Sequence, residues 1–117
     1  KWLEFILNQI INNSIKYKRN NVESYIKIIA KEDKEKTYLS IYDNGIGIPK
    51  KDIPRVFEKS FTGENGRITA KSTGMGLYIV KKLCDKLGHK INIESKKNEY
   101  TKITIIFYNN DFYKIKD

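Results

Sequence analysis

The apolar residues of this chain switch their spacing between helical and extended periods, and that switching constrains the fold more than any other feature. From residue 2 to about 18, Leu3, Phe5, Ile6 and Ile10 follow the 3.6-residue period of a helix. Over 25–31 and 37–43 the period drops to two, as in strands, and the charged turn Glu32-Asp33-Lys34-Glu35 joins them as a hairpin. Residues 75–87 return to helical spacing, with Leu77, Val80, Leu83, Cys84 and Leu87 on one face and Gly88 as the C-cap. Residues 91–95 and 101–108 close the chain as strands. Between the two halves lie a short helix over 50–57, limited by Pro54, and a connector over 59–73 that is poor in apolar residues. A connector that long in a compact domain is a working lid or is disordered. The order helix, two strands, short helix, connector, helix, two strands predicts an α+β two-layer sandwich, with helices on one face of a mixed sheet.

Size and composition narrow the functional classes. At 117 residues with 39% hydrophobic and 12% aromatic content, the chain reads as one domain over 1–108 with a polar tail over 109–117. No apolar run approaches the roughly 18 to 20 residues that span a bilayer. The chain opens without methionine inside what already reads as a helix, which marks it as part of a longer protein. A single cysteine, Cys84, excludes an internal disulfide and sits on an apolar helix face. A single histidine, His89, excludes a histidine metal cluster and reads as a turn residue. The net charge of +9 raises nucleic acid as a partner, but the basic residues are scattered rather than gathered into a phosphate-tracking patch.

Four local features carry chemistry. On the first helix Gln9, Asn13, Lys16 and Tyr17 stand at i, i+4, i+7 and i+8 and share a face. Two amide oxygens a turn apart can ligate Mg²⁺ beside phosphates, since that ion takes hard oxygen ligands and keeps part of its water. Lys16 adds positive charge, and Tyr17 adds a flat surface for a base. In the second strand Leu39, Ile41 and Asp43 share one face and Tyr38, Ser40 and Tyr42 the other, so the Asp43 carboxylate ends the buried row. Placed directly before Asn44-Gly45-Ile46-Gly47-Ile48-Pro49, it can accept from an exocyclic amine while glycine leaves room for a ring. Ser72-Thr73-Gly74-Met75-Gly76-Leu77 is a glycine turn opening a helix, whose N–H groups suit a phosphate. It lacks the Gly-Lys-Ser/Thr of a P-loop, and Ile79 stands at the third glycine of a dinucleotide fingerprint. The fourth feature, Val56-Phe57-Glu58-Lys59-Ser60-Phe61, leads into the connector with its Arg67 and Lys71.

In this order the four features resemble the sensor histidine kinases. Residues 9–17 are similar to their N box, 43–49 to the G1 box, 55–61 to the F box and 73–77 to the G2 box. The likeness implies their catalytic and ATP-binding domain, the Bergerat-type fold shared with gyrase, Hsp90 and MutL, with an ATP lid over about 59–73. In detail, residues 57–67 and 71–77 resemble the Gram-positive intramembrane-sensing kinases that work beside peptide-antibiotic transporters. The resemblance implies Asn13 as the main Mg²⁺ ligand with Gln9 beside it, Lys16 at the phosphates and Tyr17 on the adenine. Asp43 would bind the adenine amino group, Gly45 and Gly47 line the base pocket, and Ile48 forms an apolar wall. Thr73, Gly74, Met75, Gly76 and Leu77 would meet the phosphates, with Arg67 and Lys71 reaching from the lid, and Thr101 would hold a water near the base. The sequence departs from the family at Gln9, where many relatives carry asparagine, and at Ser72, where glycine is common.

The hydrolases of this fold carry a glutamate base four residues before the magnesium asparagine. Gln9 stands there and cannot take a proton at neutral pH. The resemblance therefore implies transfer of the ATP γ-phosphate to a histidine in an upstream dimerisation domain of the same full-length chain. Further implied are a homodimeric parent in the cell membrane with this domain on the cytoplasmic side, a cognate response regulator, and a transporter as partners. The alternative of another class is an ATP-switched interaction module without phosphotransfer.

Overall fold

The computed structural model describes residues 2–59, 61 and 76–108. Helix α1 (Trp2–Lys16) leads through a loop to β1 (Ile26–Glu32) and β2 (Lys36–Asp43). A single 3-10 turn at Ile53–Arg55 precedes helix α2 (Gly76–Leu87), and strands β3 (Lys90–Lys96) and β4 (Tyr100–Tyr108) follow. The four strands form one sheet in the order β1-β2-β4-β3, and every ladder among the described residues is antiparallel.

The register explains the layers. Ile41 stands opposite Ile103 and Leu39 opposite Ile105, while Ile91 and Ile93 oppose the same two β4 residues from the other side. All of these therefore point to one face. Ile6 and Ile10 of α1 and Val80 and Cys84 of α2 pack against that face with no measurable exposure. Each such aliphatic side chain contributes about 1.5–3 kcal/mol on leaving water. Burial also pushes the Cys84 thiol up to about 11, so it behaves as core rather than as a nucleophile.

The turns are built by local chemistry. Asp33 Oδ1 accepts from the Glu35 and Lys36 amides at 2.9 and 2.8 Å, closing the β1–β2 hairpin. Gly88, at φ 79°, ends α2: its amide donates to the Asp85 carbonyl and that of His89 to the Cys84 carbonyl. This pair of hydrogen bonds is the Schellman arrangement expected of a glycine C-cap. The short helix expected over 50–57 is one 3-10 turn, because Pro54 lacks the amide that a longer helix requires. Leu3, Phe5 and Leu87 share helical stripes with core residues yet are 39%, 38% and 38% exposed, and β1 is exposed along its whole length at the sheet edge. Among the described residues no helix is long and apolar enough to cross a membrane.

Candidate functional site

The candidate site lies where α1, the end of β2 and the loop after it converge. Strand parity points Asp43 inward beneath α1, where it is 8% exposed. Ser14 of α1 donates to its Oδ2 at 2.8 Å, and the Gly45 amide donates to Oδ1 at 2.9 Å. Burial raises the Asp43 carboxyl above the usual carboxylate range, and the Ser14 and Gly45 hydrogen bonds partly oppose that rise. The result is an inward acceptor fixed from two sides.

The glycines are required by close approach. A Cβ on Gly45 would lie 2.6 Å from the Tyr17 carbonyl oxygen and 2.8 Å from Asp43 Oδ1. Gly47 has φ 68°, and a Cβ there would lie 2.1 Å from the Lys96 carbonyl oxygen. The loop thus threads between the end of α1 and the β3–β4 turn. The Ile46 amide donates to the Tyr17 carbonyl at 2.9 Å, and the Asn98 amide donates to the Ile46 carbonyl at 2.6 Å. Ile48 is held by its amide donating to Ser95 Oγ at 2.8 Å. Ser95 Oγ in turn donates to the Tyr100 carbonyl at 2.7 Å, so Thr101 must be the donor in its 2.9 Å contact with Ser95. Thr101, 7% exposed, stands directly opposite Asp43 in the β2–β4 register.

Along α1, Gln9 and Asn13 are half-buried. A Cβ on Gly76 would come within 3.6 Å of Gln9 Oε1, so this amide faces the first residue of α2. Lys16 Nζ lies 5.4 Å from the Tyr17 ring centroid, within cation–π range at the edge of the site. Leu77 packs its side chain on the core. The fold therefore gathers Tyr17, Asp43, Gly45, Gly47, Ile48 and Thr101 around the loop after β2 and sets Gln9 against Gly76, with Asn13 and Lys16 further along the same helix. Arg67, Lys71, Thr73, Gly74 and Met75 lie outside the described residues. Sequence reasoning missed Ser14, Arg19 and Ser95; only Ser14 carried a signal, as a short polar residue one turn from the apolar stripe position Ile10. His89 packs its ring edge-on against Phe107 at 4.5 Å, away from these groups in the β3–β4 half of the core.

A buried carboxylate thus stands beside two close-approach glycines, next to a helix bearing two half-buried amides. Residues 1–110 match the family described as histidine kinase-, DNA gyrase B- and HSP90-like ATPase. The chain belongs to that family. It is similar to the sensor histidine kinase YxdK of Bacillus subtilis (strain 168), 40% identical over 107 residues, which are 92% of this chain and 33% of YxdK. It is likewise similar to the sensor protein kinase GraS of Staphylococcus aureus (strain MRSA252), 39% identical over 108 residues and 30% of GraS. The chain thus spans about a third of the length of these relatives. Among solved structures, the catalytic domain of histidine kinase ThkA superposes with a TM-score of 0.71 at 26% identity, covering 91% of this chain and 66% of that one. The mycobacterial sensor histidine kinase MprB shares the fold at a TM-score of 0.76 and 24% identity, over 89% of this chain and 70% of that one. This ATPase-family chain is an ATP-binding domain of the kind that sensor histidine kinases carry.

Proposed function

We propose that the chain holds Mg²⁺-ATP for transfer of the γ-phosphate to a histidine elsewhere in its full-length protein. The observation that carries this reading is Asp43, an inward carboxylate anchored by Ser14 and Gly45 with Thr101 beside it. It accepts from the adenine amino group, while Gly45 and Gly47 leave room for the ring, Ile48 walls it, and Tyr17 packs on it. Thr101 holds a water against the base. Lys16 and the start of α2, from Thr73 to Leu77, meet the phosphates, with Arg67 and Lys71 from the lid.

The donor set on α1 suits a hard divalent cation. Asn13 and Gln9 offer neutral amide oxygens a turn apart on that helix. Mg²⁺, which keeps several waters and shares phosphate oxygens, needs few protein ligands of this kind. When bound, it neutralises charge on the phosphates. The chain's own residues orient ATP and exclude competing geometries; none supplies a general base at the Gln9 position, so water is not activated there.

The acceptor belongs to another part of the protein, because the only histidine in the sequence is His89, packed on Phe107. An upstream dimerisation domain would bring it, the phosphate would pass to an aspartate of a cognate response regulator, and the parent would be a homodimer in the membrane beside a transporter. The test is phosphotransfer by the full-length protein, read as an acid-labile, alkali-stable phosphoprotein. Asp43→Asn should lower it severalfold or more at ATP concentrations near the wild-type half-saturation point. Undiminished phosphotransfer in Asp43→Asn at that concentration, or rapid ATP hydrolysis without phosphoprotein, would overturn the reading.

A further inference from the structure

Arg19 lies beyond the helix face that carries the nucleotide ligands, yet it is tied to the base pocket from behind. Its Nε donates to the Asn44 carbonyl at 2.9 Å and its Nη1 donates to the Asn98 carbonyl at 2.8 Å. The Asn44 carbonyl and the Gly45 amide belong to one rigid peptide plane. Fixing the oxygen of that plane therefore fixes the direction of its N–H, which is the group that donates to Asp43 Oδ1 at 2.9 Å. A cation on the carbonyl also polarises the amide and makes its N–H a stronger donor.

The rest of the loop's bonding leaves this peptide plane to Arg19. The Asn44 side chain is engaged elsewhere, with Oδ1 accepting from the Tyr25 amide and Nδ2 donating to the Glu23 carbonyl, both at 2.9 Å. The second prong reaches the β3–β4 turn at Asn98, whose φ of 64° turns its carbonyl toward the arginine. That turn touches the loop again at Ile46 and crowds Gly47. The forked guanidinium spans two carbonyls that a single ammonium cannot hold in the same geometry.

We propose that Arg19 is a positioning residue for base recognition, acting through the Asn44–Gly45 peptide to hold the Asp43 carboxylate in register with the adenine amine. This rests on the reading of Asp43 as the adenine acceptor. With its guanidinium given to the Asn44 and Asn98 carbonyls, Arg19 acts through that peptide, so its effect falls on the base rather than on the phosphates.

The experiment compares ATP, GTP and inorganic tripolyphosphate binding by calorimetry, in Mg²⁺ buffer, for the wild-type chain, Arg19→Ala and Arg19→Lys. Arg19→Ala is expected to weaken ATP about tenfold and to narrow the ATP-over-GTP preference by a similar factor, the scale of one charge-assisted hydrogen bond. Tripolyphosphate affinity should stay within about twofold of wild type, well under the effect of one such bond. Arg19→Lys should fall between the two, and it carries the same comparison if Arg19→Ala does not fold. Unchanged ATP-over-GTP preference in both variants overturns the proposal, as does an equal loss for tripolyphosphate, which would make Arg19 a general structural strut. A wild-type chain that binds ATP and GTP alike would instead overturn the reading of the base pocket, and this inference with it.

Discussion

Asp43→Asn separates the cost of the site to the fold from its use to the ligand. The replacement keeps the shape, and both anchoring contacts can survive. Asn Oδ1 accepts from the Gly45 amide in place of the carboxylate oxygen, and the Ser14 hydroxyl reverses to accept from Nδ2. The buried charge disappears, so the unliganded domain should hold its stability or gain some. Binding should suffer, because the acceptor proposed for the adenine amine becomes a donor. The lost charge-assisted bond is worth about 1.5–3 kcal/mol, and an opposed donor pair adds to it. A total of about 2–4 kcal/mol corresponds to roughly a 30- to 700-fold rise in the Kd for ATP. Calorimetric titration measures the affinity, and urea unfolding of the unliganded chain measures the stability. An ATP affinity within about twofold of wild type, well under the value of one charge-assisted bond, would refute the assignment of the base pocket. So would a loss of binding accompanied by an equivalent loss of stability.

Other substitutions and conditions test neighbouring parts of the site. Asn13→Ala should erase the magnesium-dependent share of ATP binding, so that its affinity matches in Mg²⁺ and in chelator; a preserved magnesium response would remove Asn13 from its proposed role. Gly47→Ala places a methyl 2.1 Å from the Lys96 carbonyl oxygen at a positive φ. It should cost at least about 1–3 kcal/mol of stability, read as a lower urea midpoint, and an unshifted midpoint would contradict the account of the loop. Acidification should weaken ATP binding as Asp43 is protonated, beginning above the usual aspartate range because burial raises this group. For stability the sign reverses. A raised folded-state pKa contributes stability that is fully present below the unfolded value and lost as pH rises through the folded one. The stability deficit of wild type relative to Asp43→Asn should therefore open on going from acid to neutral pH, and a gap independent of pH would count against the burial argument.

What was legible in the sequence was whatever a local period or a local turn encodes. Parity along 37–43 put Asp43 in the buried row, and the structure finds it 8% exposed at the end of that row. Gly88 announced the end of α2, and the α1 face from Gln9 to Tyr17 could be read from spacing alone. Other features depend on distance in the chain. Ser14 meets Asp43 across 29 residues, Ile48 meets Ser95 across 47, and Arg19 meets Asn98 across 79. No periodicity marks such pairs. Periodicity also says which residues share a stripe but not where the opposing layer ends, so Leu3, Phe5 and Leu87 match the core pattern and remain exposed. The hairpin of β1 and β2 was readable, whereas the edge position that leaves Ile28 57% exposed follows only from the strand order. The family resemblance rested on the same local boxes, which is why it reached the fold but not the long-range bonds that brace the Asp43 loop.

The most direct test of the central claim is ATP titration of this chain by calorimetry, with Mg²⁺ and with chelator, alongside GTP. The account predicts magnesium-dependent binding that selects ATP over GTP, with negligible hydrolysis during the titration. Binding indifferent to the base, or rapid release of inorganic phosphate by the chain alone, would contradict it.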